Sequence, residues 1–169
     1  YSTHFLLKPI INLLEVSQMY LRLRTIFEKK NLYYVFEGDI ISGELKKSYN
    51  KWGIKQFQLN IESFVDLCNN IGTEPILFTQ PRLIKENNTK ETRKKIRLEY
   101  TNLDFGALCK AFNECDSTII SVAQKKQTKV FDLAKPFLGK NDLFLDHIHL
   151  TNLGSAKIAN AVADFIYQL

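Results

Sequence analysis

The run EPILFTQP, residues 74–81, sets a short apolar segment between Pro75 and Pro81. It is too short for a stable helix, its Ile-Leu-Phe core favours extended backbone, and a proline at each flank limits how far pairing can spread. Residues 76–79 are therefore expected as a buried strand. The sequence before it reads differently. Ile54, Phe57, Ile61, Phe64, Val65 and Cys68 recur at three- and four-residue spacing on one stripe, and Gly72 stands just past the end in C-cap position. A helix over 54–70 thus runs into a strand at 76.

The alternation continues downstream. FNECDSTIISVAQKK (112–126) has helical spacing, with Phe112, Cys115, Ile119 and Val122 facing inward. TKVFDLA (128–134) reads as a second buried strand. TNLGSAKIANAVADFIYQL (151–169) reads as a helix over 152–167, capped by Thr151 or Asn152, with Ile158, Val162, Phe165, Ile166 and Leu169 on one face. Helix, strand, helix, strand, helix with continuously apolar strands describes an α/β chain. Residues 76–79 and 129–132 should lie parallel and adjacent or nearly so, with helices covering the sheet. Upstream, residues 5–27 carry Leu6, Ile10, Leu13, Leu14, Met19, Leu23 and Ile26 at helical spacing, and residues 32–53 read as an irregular, aromatic excursion.

A chain of 169 residues is one domain's worth, and its 45% hydrophobic and 24% charged residues are those of a globular protein. The longest apolar stretch, FLLKPIINLLEVSQMYL, is interrupted by Lys8, Asn12 and Glu15 and makes a poor membrane span. The net charge of +5 comes from scattered helix faces and from KENNTKETRKKIR (85–97), where acids are interleaved. That pattern suits a solvated loop better than a nucleic-acid surface, so no nucleic-acid partner is expected. The three cysteines, Cys68, Cys109 and Cys115, lie in apolar surroundings without a CxxC pair. They read as reduced thiols and lean toward a reducing compartment such as the cytoplasm. The chain opens at Tyr1 without a Met, which leaves room for a leader or membrane anchor upstream.

Ligands of parallel α/β sheets bind beyond the carboxyl ends of the strands. Gln80 lies there for the first strand and is a candidate substrate contact. After the second strand comes DHIHLTNLG (146–154). A histidine is the usual general base for a hydroxyl because it titrates near neutral pH, and it needs one ring nitrogen held by a partner. Asp146, three residues before His149, can reach that nitrogen from the same turn and can stabilise the imidazolium. Gly154 permits close approach by a neighbouring loop. The plain alternative is a surface pair in which Asp146 caps local backbone. A metal held by His147 and His149 beside Asp146 is a further possibility, but His4 is the sole other histidine and no acidic cluster accompanies them. No metal or cofactor is expected.

The context of the pair adds to this. Leu-Phe-Leu (143–145), then D-x-x-H, then L-T-N-x-G, then an alanine-rich amphipathic helix resembles the last conserved block of the SGNH (GDSL-like) hydrolases. FVDLCNNIGTEPILFTQP is similar to that family's helix and strand ending in Thr-Gln-Pro, and FNECDSTIISVAQKKQTKVFDLA to its next helix and strand. The resemblance covers residues 54–169. It implies a three-layer α/β/α (SGNH/flavodoxin-like) fold with a mostly parallel sheet, and a serine esterase using a Ser-His-Asp triad. His149 would be the general base and Asp146 its orienting acid. The substrate would be a small-molecule ester: a lipid, an acetylated sugar or an acyl thioester.

One departure is serious. The family's Gly-Asp-Ser and Gly-x-Asn-Asp blocks are not visible. EGDIISG (37–43) offers Gly-Asp-Ile, with Ser42 two places late. The expectation is therefore the C-terminal portion of such a domain, its nucleophile and first strands lying upstream of Tyr1. Tyr33, Tyr34, Phe36 and Trp52 are read as packing against the sheet edge, with an acyl or sugar pocket as the other option. The rival from a different class is a non-catalytic α/β binding or scaffolding module that keeps the scaffold.

Overall fold

The computed structural model describes residues 44–169. The helix expected over 5–27 and most of the 32–53 excursion, with His4, Tyr33, Tyr34, Phe36 and Ser42, lie outside them. Helix α1 spans Lys51–Asn70 and starts where the Asn50 side chain accepts the Trp52 backbone N–H. It ends at Ile71, after which Gly72 takes φ +73 and Thr73 donates to the Cys68 carbonyl. This left-handed residue is the C-cap role read from the sequence. Trp52, in the first turn, is 67% exposed and joins none of the core clusters of the described residues, so the packing expected of it is not seen there.

Strand β1 (Ile76–Phe78) pairs with β2 (Lys129–Phe131) in parallel, with Ile76 opposite Lys129, Leu77 opposite Val130 and Phe78 opposite Phe131. The expected adjacency and direction are both present. Thr79 extends the pairing by donating its N–H to the Phe131 carbonyl. The crossover between the strands contains the short helix α2 (Lys90–Arg93) and the long helix α3 (Phe105–Lys126). Helix α3 begins before the expected residue 112, because the Asp104 carboxylate accepts the Ala107 N–H at 2.7 Å and nucleates the helix there. It stops at Gln127, which takes φ +53. After β2 come the single-turn helix α4 (Ala134–Phe137) and helix α5 (Asn152–Tyr167). Thr151 is the N-cap of α5, its hydroxyl accepting the Gly154 N–H.

Side chains alternate across the strands, so the two faces collect different partners. Leu77 packs with Val65 of α1 and with Ile119, Val122 and Ala123 of α3. On the other face Phe78 and Phe131 meet Leu133, Phe137, Leu143 and Phe144 together with Ile158, Ala161 and Val162 of α5. Phe165 stacks on Phe131 at 4.7 Å between centroids. Helices thus cover both faces of a parallel sheet that, among the described residues, has two strands. No helix of the described residues is long and apolar enough to cross a membrane.

Three assignments need correction. Phe64 was expected on the inward stripe of α1 and is 51% exposed. Helix α1 turns Phe57, Ile61, Val65 and Cys68 inward, and its acidic flank pairs with α3 through Glu62–Lys125 and Asp66–Lys126. Phe64 falls one step round, beside Leu67 and Ile71, which are also exposed. Likewise Ile166 and Leu169 were expected on the inward face of α5 and are about half exposed, at 50% and 51%. Phe165 takes the inward slot over Phe131 and leaves both on the outside.

The basic stretch 85–97 is more built than a solvated loop. Thr92 and Ile96 are buried, Ile96 in a third cluster with Ile84, Leu108 and Cys109. Arg93 stacks over Phe105 at 3.9 Å, and Lys95 donates to the carbonyls of Asn141 (3.2 Å) and Phe144 (3.5 Å). Lys90, Arg93 and Lys94 remain at the surface. All three cysteines are free thiols, Cys68 and Cys109 buried and Cys115 half-buried.

Candidate functional site

The chain between α4 and α5 doubles back as a small antiparallel hairpin. Phe144 bridges Leu150, Leu145 donates its N–H to the His149 carbonyl at 2.8 Å, and Thr151 donates to the Leu143 carbonyl at 2.9 Å. Asp146, His147 and Ile148 form the tip. One carboxylate oxygen of Asp146 accepts the N–H groups of Ile148 (2.9 Å) and His149 (2.8 Å), a local turn that an aspartate makes readily. Its other oxygen meets Nδ1 of His149 at 2.7 Å.

Burial pushes the Asp146 carboxyl up, but the backbone N–H groups of His149 and Ile148, with the His149 ring, outweigh it and bring the pKa down to about 2. The group is therefore an anion at neutral pH and can only accept hydrogen bonds. Nδ1 of His149 must carry the proton, which leaves the Nε2 lone pair free in the neutral ring. The His149 side chain is 70% exposed, against 17% for Asp146, and Nε2 has no hydrogen-bond partner among the described residues.

Several elements hold this turn. The Leu83 N–H, just beyond β1, donates to the His147 carbonyl at 2.9 Å. Lys95 binds the strand leading into Asp146, as described. The Thr151 hydroxyl, besides capping α5, donates to the Asp142 carbonyl at 3.0 Å. Gly154 is buried, and a Cβ built there would lie 2.1 Å from the Leu143 carbonyl oxygen. The close approach anticipated for this glycine is between the first turn of α5 and the outgoing strand of the hairpin.

His147 and His149 diverge. His147 is 5% exposed and its Nδ1 has no hydrogen-bond partner, the nearest Asp146 oxygen being 3.9 Å away. Burial pushes its imidazole toward the neutral form. One ring enters the core and the other faces solvent, so they do not converge on a shared ion. Among the described residues no group of three or more His, Cys, Asp or Glu side chains is arranged to hold a metal. Gln80 lies just beyond β1 with an exposed side chain. No hydrogen bond joins that side chain to Asp146 or His149, and the Gln80 carbonyl accepts from Arg82 at 3.2 Å.

The strand ends also hold a polar cluster that the sequence did not announce. The Thr79 hydroxyl, 1% exposed, donates to Asp132 at 2.7 Å and accepts the Ala134 N–H at 2.8 Å, tying the exits of β1 and β2 together. Arg82 is 2% exposed, with its guanidinium on Asp116 (2.5 Å) and Asn113 (2.9 Å) and over the Phe112 ring. Burial raises the Asp116 carboxyl pKa and Arg82 opposes that rise. In the sequence Thr79 closes the expected strand and Arg82 follows it by three residues, which announces neither their burial nor their partners. A cavity of about 220 Å³ lined by Ile84, Lys85, Glu86, Asn87, Cys109, Asn113 and Leu138 shares no residue with the 143–154 hairpin. The Asp146–His149 pair is therefore not part of that cavity.

No family model, no curated protein and no solved structure matches this chain.

Proposed function

We propose that the chain belongs to a serine hydrolase of SGNH type with a three-layer α/β/α fold, in which His149 is the general base and Asp146 orients it. The observation that carries this reading is the 2.7 Å contact between the Asp146 carboxylate and His149 Nδ1, with the opposite ring nitrogen facing solvent beyond the sheet. A neutral imidazole presented this way takes a proton from a hydroxyl as that hydroxyl attacks an ester carbonyl, and the resulting imidazolium is stabilised by Asp146. It then returns the proton to the departing alcohol. Collapse of the tetrahedral intermediate breaks the acyl–oxygen bond, and water releases the acid by the same route. The hydroxyl and the oxyanion donors are not assigned to any described residue. The order of elements and the Thr-Gln-Pro and D-x-x-H blocks support the family reading.

A second reading has one observation behind it. The first Asp146 oxygen serves only backbone N–H groups, so a non-catalytic binding module would keep this aspartate for its turn alone. A fluorophosphonate probe separates the two. The full-length protein should be labelled at a serine, and His149→Ala should abolish labelling while the protein stays folded. A folded wild-type protein that takes no label and hydrolyses no ester would favour the binding module.

A further inference from the structure

The hairpin carries a feature that the dyad does not use. Leu143 and Phe144 are fully buried, whereas Leu145, the next residue, is 65% exposed. The Phe144–Leu150 bridge and the Leu145-to-His149 hydrogen bond set Leu145 directly opposite His149. Residues opposite each other in an antiparallel pair project from the same face, with Cβ atoms about 5 Å apart. Phe144 and Leu150 take the core-facing side, so Leu145 and His149 share the outer one. The pairing thus places an exposed apolar side chain on the same side of the hairpin as the proposed base.

The chemistry decides which part of a substrate reaches that spot. The proton acquired at Nε2 must pass to the leaving oxygen, so that oxygen approaches the imidazole to about 3 Å. The first atoms of the alcohol are then the part of the ester nearest His149, while the acyl chain extends from the carbonyl on the far side of the nucleophile. We infer that Leu145 contacts the alcohol portion of the ester, so that the enzyme takes acyl esters of apolar alcohols in preference to esters of sugars or other polyols. The inference rests on the hydrolase reading above and narrows its substrate class.

The test uses the full-length protein and esters differing at one end only. Para-butylphenyl acetate and para-(hydroxyethyl)phenyl acetate share an acyl group and have leaving groups of similar acidity. Para-nitrophenyl acetate and butyrate differ in acyl length alone. The wild type should prefer the butylphenyl ester in kcat/KM. Leu145→Asn should reduce that preference by about tenfold, and Leu145→Met should restore most of it. The acetate-to-butyrate ratio should stay unchanged, which a general distortion of the site would not allow. An alcohol preference that is the same in Leu145→Asn, or a shift of equal size in the acyl series, overturns the assignment while leaving the hydrolase reading intact. A wild-type protein that turns over none of the four esters and takes no fluorophosphonate label removes both.

Discussion

Asp146 divides its two carboxylate oxygens between backbone and side chain: one closes the turn on the N–H groups of Ile148 and His149, the other holds the His149 ring at 2.7 Å. The same residue thus sets where the imidazole starts and how it is aimed. Substitutions at the two positions should therefore differ in kind.

His149→Ala removes a side chain that is 70% exposed and leaves the backbone contacts in place. Its unfolding free energy should fall by no more than about 1 kcal/mol, the worth of an ion pair with one exposed partner. In the proposed hydrolase the same change should lower kcat by several orders of magnitude, since the serine loses its base. Chemical denaturation and ester hydrolysis on one preparation check both halves. A large loss of stability with no loss of rate would remove His149 from the mechanism.

Asp146 also makes stability depend on pH. Its carboxyl titrates at about 2 in the fold against 3.8 ordinarily, so the anion favours the folded state. The contribution is fully present above about pH 4 and disappears as pH falls through about 2, and its size is on the order of 2 kcal/mol. Asp146→Asn should accordingly be less stable than wild type at neutral pH, with the gap closing on acidification over that window. Urea midpoints measured at a series of pH values read it directly. A gap independent of pH would mean that the carboxylate charge is not what matters.

Gly154 leaves no room for a side chain. A Cβ at 2.1 Å from the Leu143 carbonyl oxygen meets backbone, which cannot swing away as a flexible side chain would. Gly154→Ala should cost roughly 3 kcal/mol or more, because either α5 or the Leu143 strand must shift. Thermal melting gives the stability. The proton NMR signal of the His149 ring, in the variant that still folds, should report its displacement from Asp146.

Thr79→Val tests the tie between the strand exits. Valine keeps the shape of threonine but strands the buried Ala134 N–H and removes a partner of Asp132. The expected loss is about 1–3 kcal/mol in unfolding free energy, read from the shift in urea midpoint.

The elements that were legible in the sequence are those whose periodicity is set by one dominant core. The inward arc of α1, strands β1 and β2, and α5 follow from local spacing and capping chemistry, with the choice of Thr151 over Asn152 as the cap decided by the fold. The start of α3 was hidden because Gly106 interrupts the helical pattern just after the capping Asp104. Phe64, Ile166 and Leu169 were misplaced for a related reason: a helix has room for a limited apolar arc, and which residue fills the last slot depends on the neighbour across it. Of the site, the Asp146–His149 contact and the need for a glycine at 154 could be read from spacing. The burial of Arg82 and His147 and the grip of Lys95 on the hairpin could not, since each depends on partners distant in sequence. A charged run looks solvated until its carbonyl acceptors, 46 and 49 residues away for Lys95, are known.

The tight seat of Gly154 has a consequence for how such a chain drifts over generations. Glycine at 154 makes room for the hairpin, and the hydroxyl at 151 and the carboxylate at 146 bind its backbone, whatever the hairpin is for. His149 projects outward and is under no such obligation. A lineage that had abandoned catalysis would go on transmitting the frame while its exposed imidazole was replaced freely. The frame is therefore poor testimony to activity, and persistence of histidine at 149 among descendants is the better witness.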